Sequence, residues 1–443
     1  MPPVEPLERW IDRQYRHSAV ALMRSVSAVD IIKVRPGFGQ TVQPRKGSIV
    51  ASPVLGAYDP EPDYFFHWLR DSAIVIDALR LLTDDARLGF DGASHFADFV
   101  RFSLSLEGLD GRRLLDSPSW RERTAPEYRQ YVRSDADLSA VHGDAVASET
   151  RVNPDGTLDI SKWPRPQNDG PFARAVSVLR WRRSARLEEK LRMEVDALLR
   201  ADLQFTLRHW RDACFDIWEE DKGFHYYTLR MAAAALAAGA DWFEEQGDRG
   251  DAATCRGDAK AIIKVLDGYW REDAQFYRSR ILESGVPSAK ELDISVIFAA
   301  LHADGDGDTH SVQDPRMHAT LAKLEALFDG EYPINHGRAG RAPAMGRYAG
   351  DVYYSGGAYY FSTLAAAEFC FRAALHSTAK TTLTEHGDAF LETVRAFTPP
   401  SGEFSEQFDQ RTGEQRSAQQ LAWSYAAFIS CVAARRQVIR HSA

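Results

Sequence analysis

The sequence predicts an all-α protein, folded as a closed double ring of six helical hairpins, and three observations carry that reading. Apolar residues recur at three-to-four spacing in twelve segments, convincing period-two alternation is scarce, and the longest stretches without helical periodicity, roughly 107–169 and 330–356, are rich in turn formers and aromatics. Twelve helices make six hairpins. Six hairpins can close on themselves with alternate helices inside and outside, and the loops at one end of such a ring then converge on a site.

Taken in order, the first helix covers 5–25, an amphipathic segment with charges at Glu8, Arg9, Asp12 and Arg13 that follows Met1-Pro2-Pro3-Val4-Glu5-Pro6. Weak strand signals stand near 36–56, where Thr41, Val42, Ile49 and Val50 occur among Gly, Pro and Ser. Helices follow at 67–83 and 93–106. The excursion 107–169 is too long for a passive connection and carries Trp120, Tyr128, Tyr131 and Trp163, so a functional loop is expected there. A helix over 170–180 opens at Pro171 behind Asp169, a capping residue type. Further helices cover 186–209, 225–245 and 250–268, then 292–302 and 315–328 after a weak strand signal near 272–283. The stretch 330–356 holds Pro333, Pro343, Gly337, Gly340, Gly346 and Gly350 and is expected to face the site; helices over 357–376, 383–397 and 417–436 complete the ring. The acidic run Asp304-Gly305-Asp306-Gly307-Asp308 is not a calcium loop, because an EF-hand needs Gly where Thr309 stands and Glu where Pro315 stands.

At 443 residues the length prior alone suggests about three domains, but a single closed ring absorbs that much chain, and no Pro/Ser/Thr-rich linker divides it. One domain over 1–443 is expected. Charged residues make up 26% and hydrophobic ones 44%, which places the chain among ordinary globular proteins rather than disordered ones. A net charge of -9 without any Lys/Arg tract argues against nucleic acid or an anionic membrane as partner and fits a neutral, polyhydroxylated substrate. Cys214, Cys255, Cys370 and Cys431 have neither disulfide-framework nor zinc spacing. No run of about 18 or more apolar residues marks a membrane span, and the first residues lack a secretory pattern; cytoplasmic residence is the expectation.

Five polar and aromatic clusters carry candidate chemistry. The first is Tyr64-Phe65-Phe66-His67-Trp68-Leu69-Arg70-Asp71-Ser72, where an Arg-Asp pair and an indole face suit a sugar ring; read alone, it also fits a helix start with an ion pair. Trp163-Pro164-Arg165-Pro166-Gln167-Asn168-Asp169-Gly170-Pro171 is the second, and a structural loop explains it except for its Trp and Arg. In the third, Phe215-Asp216-Ile217-Trp218-Glu219-Glu220, a carboxyl buried against the indole would hold a proton for delivery, and the residue types leave open whether that is Glu219 or Glu220. The fourth runs from Met345-Gly346-Arg347-Tyr348 through Asp351 to Tyr353-Tyr354-Ser355-Gly356-Gly357-Ala358-Tyr359, in which Arg347 serves a ligand or a local ion pair with Asp351. The fifth, Gly402-Glu403-Phe404-Ser405-Glu406-Gln407-Phe408, supplies a second carboxylate, and glycosidic hydrolysis needs two.

In this order the clusters resemble the glucoamylase family, glycoside hydrolase family 15, from about residue 40 to 435. The match rests on Tyr64 to Asp71, Arg165-Pro166-Gln167-Asn168-Asp169-Gly170-Pro171, Trp218-Glu219-Glu220, Gly346-Arg347-Tyr348, and Ser405-Glu406-Gln407 through Gly413-Glu414-Gln415 to Trp423-Ser424-Tyr425-Ala426. The resemblance implies the (α/α)6 barrel, a general acid at Glu219 and a general base at Glu406. It further implies substrate contacts from Glu220, Tyr64, Arg70, Asp71 and Arg347, an aromatic lining from Trp68, Trp163 and Trp218, and an inverting attack on an α-glucosidic bond with no metal or cofactor. The sequence departs from the fungal pattern at Gly357-Ala358-Tyr359, where an Asn-Pro-Trp run is usual, and at His67-Trp68-Leu69, and with its first matching motif at Tyr64 the N-terminal β-sandwich of bacterial relatives is not expected. Tyr359 is therefore expected in the region that selects linkage. An exo-acting α-glucosidase of short oligosaccharides or α-glucans leads the readings, beside an α-1,6 or α,α-1,1 specificity, a catalytically silent carbohydrate binder and a helical scaffold.

Overall fold

The computed structural model of the protein describes residues 5–56, 61–85, 89–117, 119–184, 187–303, 307 and 309–441. Met1–Val4 and most of the acidic run Asp304–Asp308 lie outside the described residues. All twelve expected long helices are present: α1 Leu7–Met23, α2 Leu69–Asp84, α3 Gly92–Leu106, α8 Asp169–Ser184, α9 Glu189–His209, α10 Tyr226–Glu245, α11 Arg249–Asp267, α12 Ser295–Ala303, α13 Pro315–Glu331, α14 Tyr360–Ala374, α15 Lys380–Phe397 and α16 Ala422–Arg440.

Their packing is a closed double ring. Helices α2, α8, α10, α12, α14 and α16 each touch the next, and α16 returns to α2; outside them α3 lies on α2, α9 on α8, α11 on α10, α13 on α12, α15 on α14 and α1 on α16. This is the (α/α)6 barrel. The two rings differ in sequence because they differ in solvent. Outer α1 buries Trp10, Ile11, Gln14, Tyr15, Ser18 and Leu22, one stripe of a 3.6-residue period, and exposes Arg13 and Arg16. Inner α10 and α14 are apolar almost all round, and runs such as Ala232-Ala233-Ala234-Ala235 let neighbours approach closely. Gly239 shows how close: a Cβ there would stand 2.5 Å from Leu203 of α9.

Inner helix α12 is the shortest of the ring, and the carbonyls at its end are met by arginines from two other inner helices. Arg180 of α8 donates to His302 O (2.7 Å) and Arg372 of α14 to Leu301 O (3.1 Å), with Asp77 and Glu368 as their counter-charges.

Where the structure departs from expectation, it does so at one end of the ring. Residues His67–Trp68 (β3) and Ala358–Tyr359 (β10), assigned to helices by periodicity, are strands; Gln415–Gln419 (β12) is another, and α16 starts only at Ala422. Strand β3 pairs with Arg151–Val152 (β4); Lys222–His225 (β6) pairs with Cys214–Phe215 (β5) and Arg280–Leu282 (β9); and β10 and β12 flank Ser405–Phe408 (β11). Short strands thus lead into α2, α10 and α14 with no break, which hides them in a pattern dominated by the helix that follows. The weak signals near 36–56 and 272–283 correspond to a ribbon of Lys33–Arg35 (β1) with Gln40–Val42 (β2), and to Trp270–Arg271 (β7) with Phe276–Tyr277 (β8).

The 107–169 excursion is not wholly irregular. It holds short helices α4 Gly111–Leu115, α5 Ser119–Arg123, α6 Asp135–Ser139 and α7 Asp144–Ala147, and it builds a small core of its own from Trp120, Leu138 and Ile160 against Phe38.

Candidate active site

The strands and turns that precede the inner helices bring the five clusters to one cavity of about 290 Å³. Its wall includes Tyr64, Trp68, Arg70, Asp71, Trp163, Trp218, Glu219, Glu220, Arg347 and Glu406, so ten of the eleven residues expected from the sequence meet there. Tyr359 is the exception. It is 0% exposed and stands behind the wall, where its hydroxyl donates to Asp351 (3.1 Å) and accepts from Gln407 (2.8 Å). Strand β10 points it into the core beside Trp218, with ring centroids 6.5 Å apart, so the expected direct contact with a sugar gives way to support of the residues that line the cavity.

The Asp216–Asp221 turn sets the first carboxyl. Asp216 accepts from the backbone N–H of Glu220 (2.8 Å) and Asp221 (3.2 Å), and the tightened turn leaves Glu219 at φ 64°. That left-handed conformation costs a non-glycine residue about 1–2 kcal/mol and aims the Glu219 side chain into the cavity. There Trp68 Nε1 donates to one oxygen (2.8 Å), Trp163 Nε1 to the other (2.5 Å), and Arg70 Nη2 lies at 3.4 Å. Arg151, 1% exposed and paired with Asp159 at 2.9 Å, lies 3.7 Å from the Trp163 ring centre and 4.8 Å from that of Trp68, backing both indoles. Burial raises the Glu219 carboxyl above its ordinary range, against the opposing pull of Arg70.

Glu220 points elsewhere and is saturated with donors. Lys290 Nζ (2.7 Å), Arg347 Nη2 (3.0 Å) and the Tyr348 hydroxyl hold it, while Arg347 is gripped twice by Asp351 (2.6 and 2.7 Å). Glu220 is thus surrounded by two cations and a hydroxyl, whereas Glu219 sits between two indoles.

Glu406 enters from β11, whose register against β12 slips between Ser405 and Gln407. A bulge there turns the side chain toward the cavity. Ser417 of β12, itself at φ 61°, donates its hydroxyl to the carboxylate. Burial pushes Glu406 up to about 7, and Ser417 and then Arg347 pull in the opposite direction. Above it the Tyr64 and Tyr353 hydroxyls meet at 2.6 Å.

Behind the wall, Arg280 of β9 is 2% exposed and binds Asp216 (2.8 Å), Asp221 (2.8 Å) and Asp293, whose carboxylate also accepts from Trp218 Nε1 (2.9 Å). It ties the Glu219 turn to α12. Replacing it by Met strands two buried carboxylates, so Arg280→Met is expected to lower stability by about 3–5 kcal/mol, seen as a lower urea midpoint at unchanged slope.

Sequence reasoning passed over Tyr353, Ser417, Asp293, Lys290 and Trp423 as site residues. Tyr353 and Trp423 stand inside quoted motifs and were open to discovery, but Ser417 and Lys290 carry no local signal. Among the described residues, no group of three or more His, Cys, Asp or Glu could hold a metal ion, and no helix is long and apolar enough to cross a membrane.

A family model described as "Glycosyl hydrolases family 15" matches residues 34–101, 145–385 and 376–433. A Schizosaccharomyces pombe protein named "Probable glucoamylase" is 28% identical across 89% of this chain and 86% of its own length. A Blastobotrys adeninivorans "Glucoamylase" is 25% identical across 85% of this chain, which spans 66% of that protein. The fold is similar to the structure of a glucoamylase from Saccharomycopsis fibuligera, with a TM-score of 0.76 at 20% identity over 98% of this chain and 96% of the other.

Proposed function

Given that the chain belongs to glycosyl hydrolases family 15, we propose that it is an exo-acting, inverting α-glucosidase that releases glucose from the non-reducing ends of short α-glucosides or α-glucans. The observation that carries the reading is the pairing of two buried carboxyls, Glu219 and Glu406, on the wall of one cavity, each raised above the ordinary carboxyl range by burial. In this mechanism Glu219 gives its proton to the departing oxygen. Glu406 takes a proton from the water that attacks the anomeric carbon from the other face. The C1–O bond breaks as the C1–water bond forms, and the configuration inverts. Arg70, Asp71 and Arg347 supply hydrogen bonds to the terminal sugar, Tyr64 positions the water, and Trp68, Trp163 and Trp218 give the apolar faces. Glu220 contacts the substrate as a hydrogen-bond acceptor.

The proposal extends to one catalytic domain over residues 1–443, supported by closure of the ring between α16 and α2 with α1 packed on α16, and to cytoplasmic residence, supported by four buried, unpaired cysteines. Neutral α-glucans or oligosaccharides are the partner class; nucleic acid and membrane are not.

Two measurements on purified protein test the reaction. Proton NMR of glucose freshly released from p-nitrophenyl α-glucoside, which yields a single sugar, should show the β-anomer first, and early α-anomer rejects inversion. A screen of α-1,4, α-1,6 and α,α-1,1 disaccharides should show release from at least one; release from none returns the protein to the class of silent binders. The pH profile offers a finer check. Ser417→Ala removes the hydroxyl that favours ionised Glu406, so the base should lose its proton only about one pH unit higher. kcat/KM should then fall by about tenfold on the acidic side and stay parental on the alkaline side, where loss of the Glu219 proton governs the rate. An unchanged acidic side would remove Ser417 from the mechanism.

A further inference from the structure

We propose that Asp169 is a positioning residue for the general acid: it holds the charge of Arg70 away from Glu219, so that Glu219 keeps the proton it delivers. The proposal rests on the reading of Glu219 as the acid. Arg70 is 3% exposed, and its guanidinium is shared by three carboxyls from three parts of the chain. Nη1 lies 3.4 Å from Asp169 at the start of α8, while Nη2 lies 3.5 Å from Asp71 in α2 and 3.4 Å from Glu219. Asp169 is 0% exposed and its Oδ1 has no hydrogen-bond partner among the described residues, so that oxygen does not perform the helix capping its position suggests.

A guanidinium beside Glu219 favours the ionised carboxylate, the wrong direction for an acid. Further carboxyls on the same guanidinium reverse that tendency, because three buried carboxyls around one cation cannot all ionise cheaply and a proton stays in the cluster. The titratable groups facing Asp169 and Glu219 are Arg70 and Asp71 of α2, Tyr227 of α10, Cys214 of β5, Arg151 of β4 and Tyr64 ahead of β3. Arg151 is fixed by Asp159 and Ser161, which leaves Arg70 as the cation whose charge can be redistributed. Burial pushing Asp169 up to about 6, with Arg70 pulling it back, agrees with that shared arrangement.

The test compares kcat/KM against pH for parent and Asp169→Asn on two substrates, maltose and α-glucosyl fluoride. Fluoride leaves without a proton, so only maltose should report the acid. With one carboxylate gone, Arg70 turns to Glu219 and lowers its pKa by about one unit, so maltose turnover should fall by about tenfold at any given alkaline pH and remain parental on the acidic side. The fluoride should stay within about twofold throughout, since it bypasses the acid. Asp169→Ser, smaller and equally neutral, should give the same pattern. An unchanged profile, a uniform loss on both substrates, or failure of both variants to fold overturns the assignment. Glu219→Gln runs in parallel: parental maltose activity there removes the acid itself, whereas an inactive Glu219→Gln with a parental Asp169→Asn profile removes only the positioning role.

Discussion

Glu219→Gln should lower kcat on maltose by about 10²–10⁴-fold, because the amide cannot give a proton to a sugar alkoxide. α-Glucosyl fluoride should keep most of its turnover. The fold should survive with a modest loss. Both oxygens of Glu219 accept an indole N–H, from Trp68 and from Trp163; in Gln only the amide oxygen still accepts, and the NH₂ that replaces the other oxygen is itself a donor, which leaves one indole N–H unpaired at a cost of about 1–3 kcal/mol. Near-parental activity on maltose would move the role to Glu220 or end the mechanism. Glu220 is held by Lys290 and Arg347, so Glu220→Gln is expected to act on KM rather than on the pH profile.

Glu406→Gln should cost about 10²–10⁴-fold on maltose and on α-glucosyl fluoride alike, since both reactions need an activated water. That equality separates a base from an acid. The amide oxygen can still accept from Ser417, so unfolding should not account for the loss. A variant that hydrolyses the fluoride at the parental rate while failing on maltose would exchange the two assignments.

Much of this was open to reading in the sequence, for reasons that differ between fold and site. The helices announce themselves because each is long and periodic, and their even count suggests closure. The two-residue strands β3 and β10 do not, because one or two residue pairs make no alternation and each runs straight into a helix. The wall residues lie in contiguous polar and aromatic runs. Their supports do not: Ser417 reaches Glu406 through a strand bulge, and Lys290 reaches Glu220 across 70 positions of sequence. Tyr359 was placed on the wall by its position in a motif, but strand β10 turns that side chain inward.

The alternation of inner and outer helices has an electrostatic consequence. Each inner helix returns through an outer one, so all six begin at the cavity end, and each beginning carries partial positive charge from its unpaired N–H groups. The ring therefore fixes the sign of the local field by topology, before any side chain is chosen. Asp71, Asp169, Glu219, Glu220, Asp351 and Glu406 gather where helix beginnings offset part of their repulsion, which makes an acid-rich pocket tolerable in a chain of net charge -9. At the opposite end the helices finish in bare carbonyls, and there Arg180 and Arg372 stand. A carboxylate pair transplanted to that end would meet a field of the wrong sign, so the barrel has one end suited to this chemistry and one that is not.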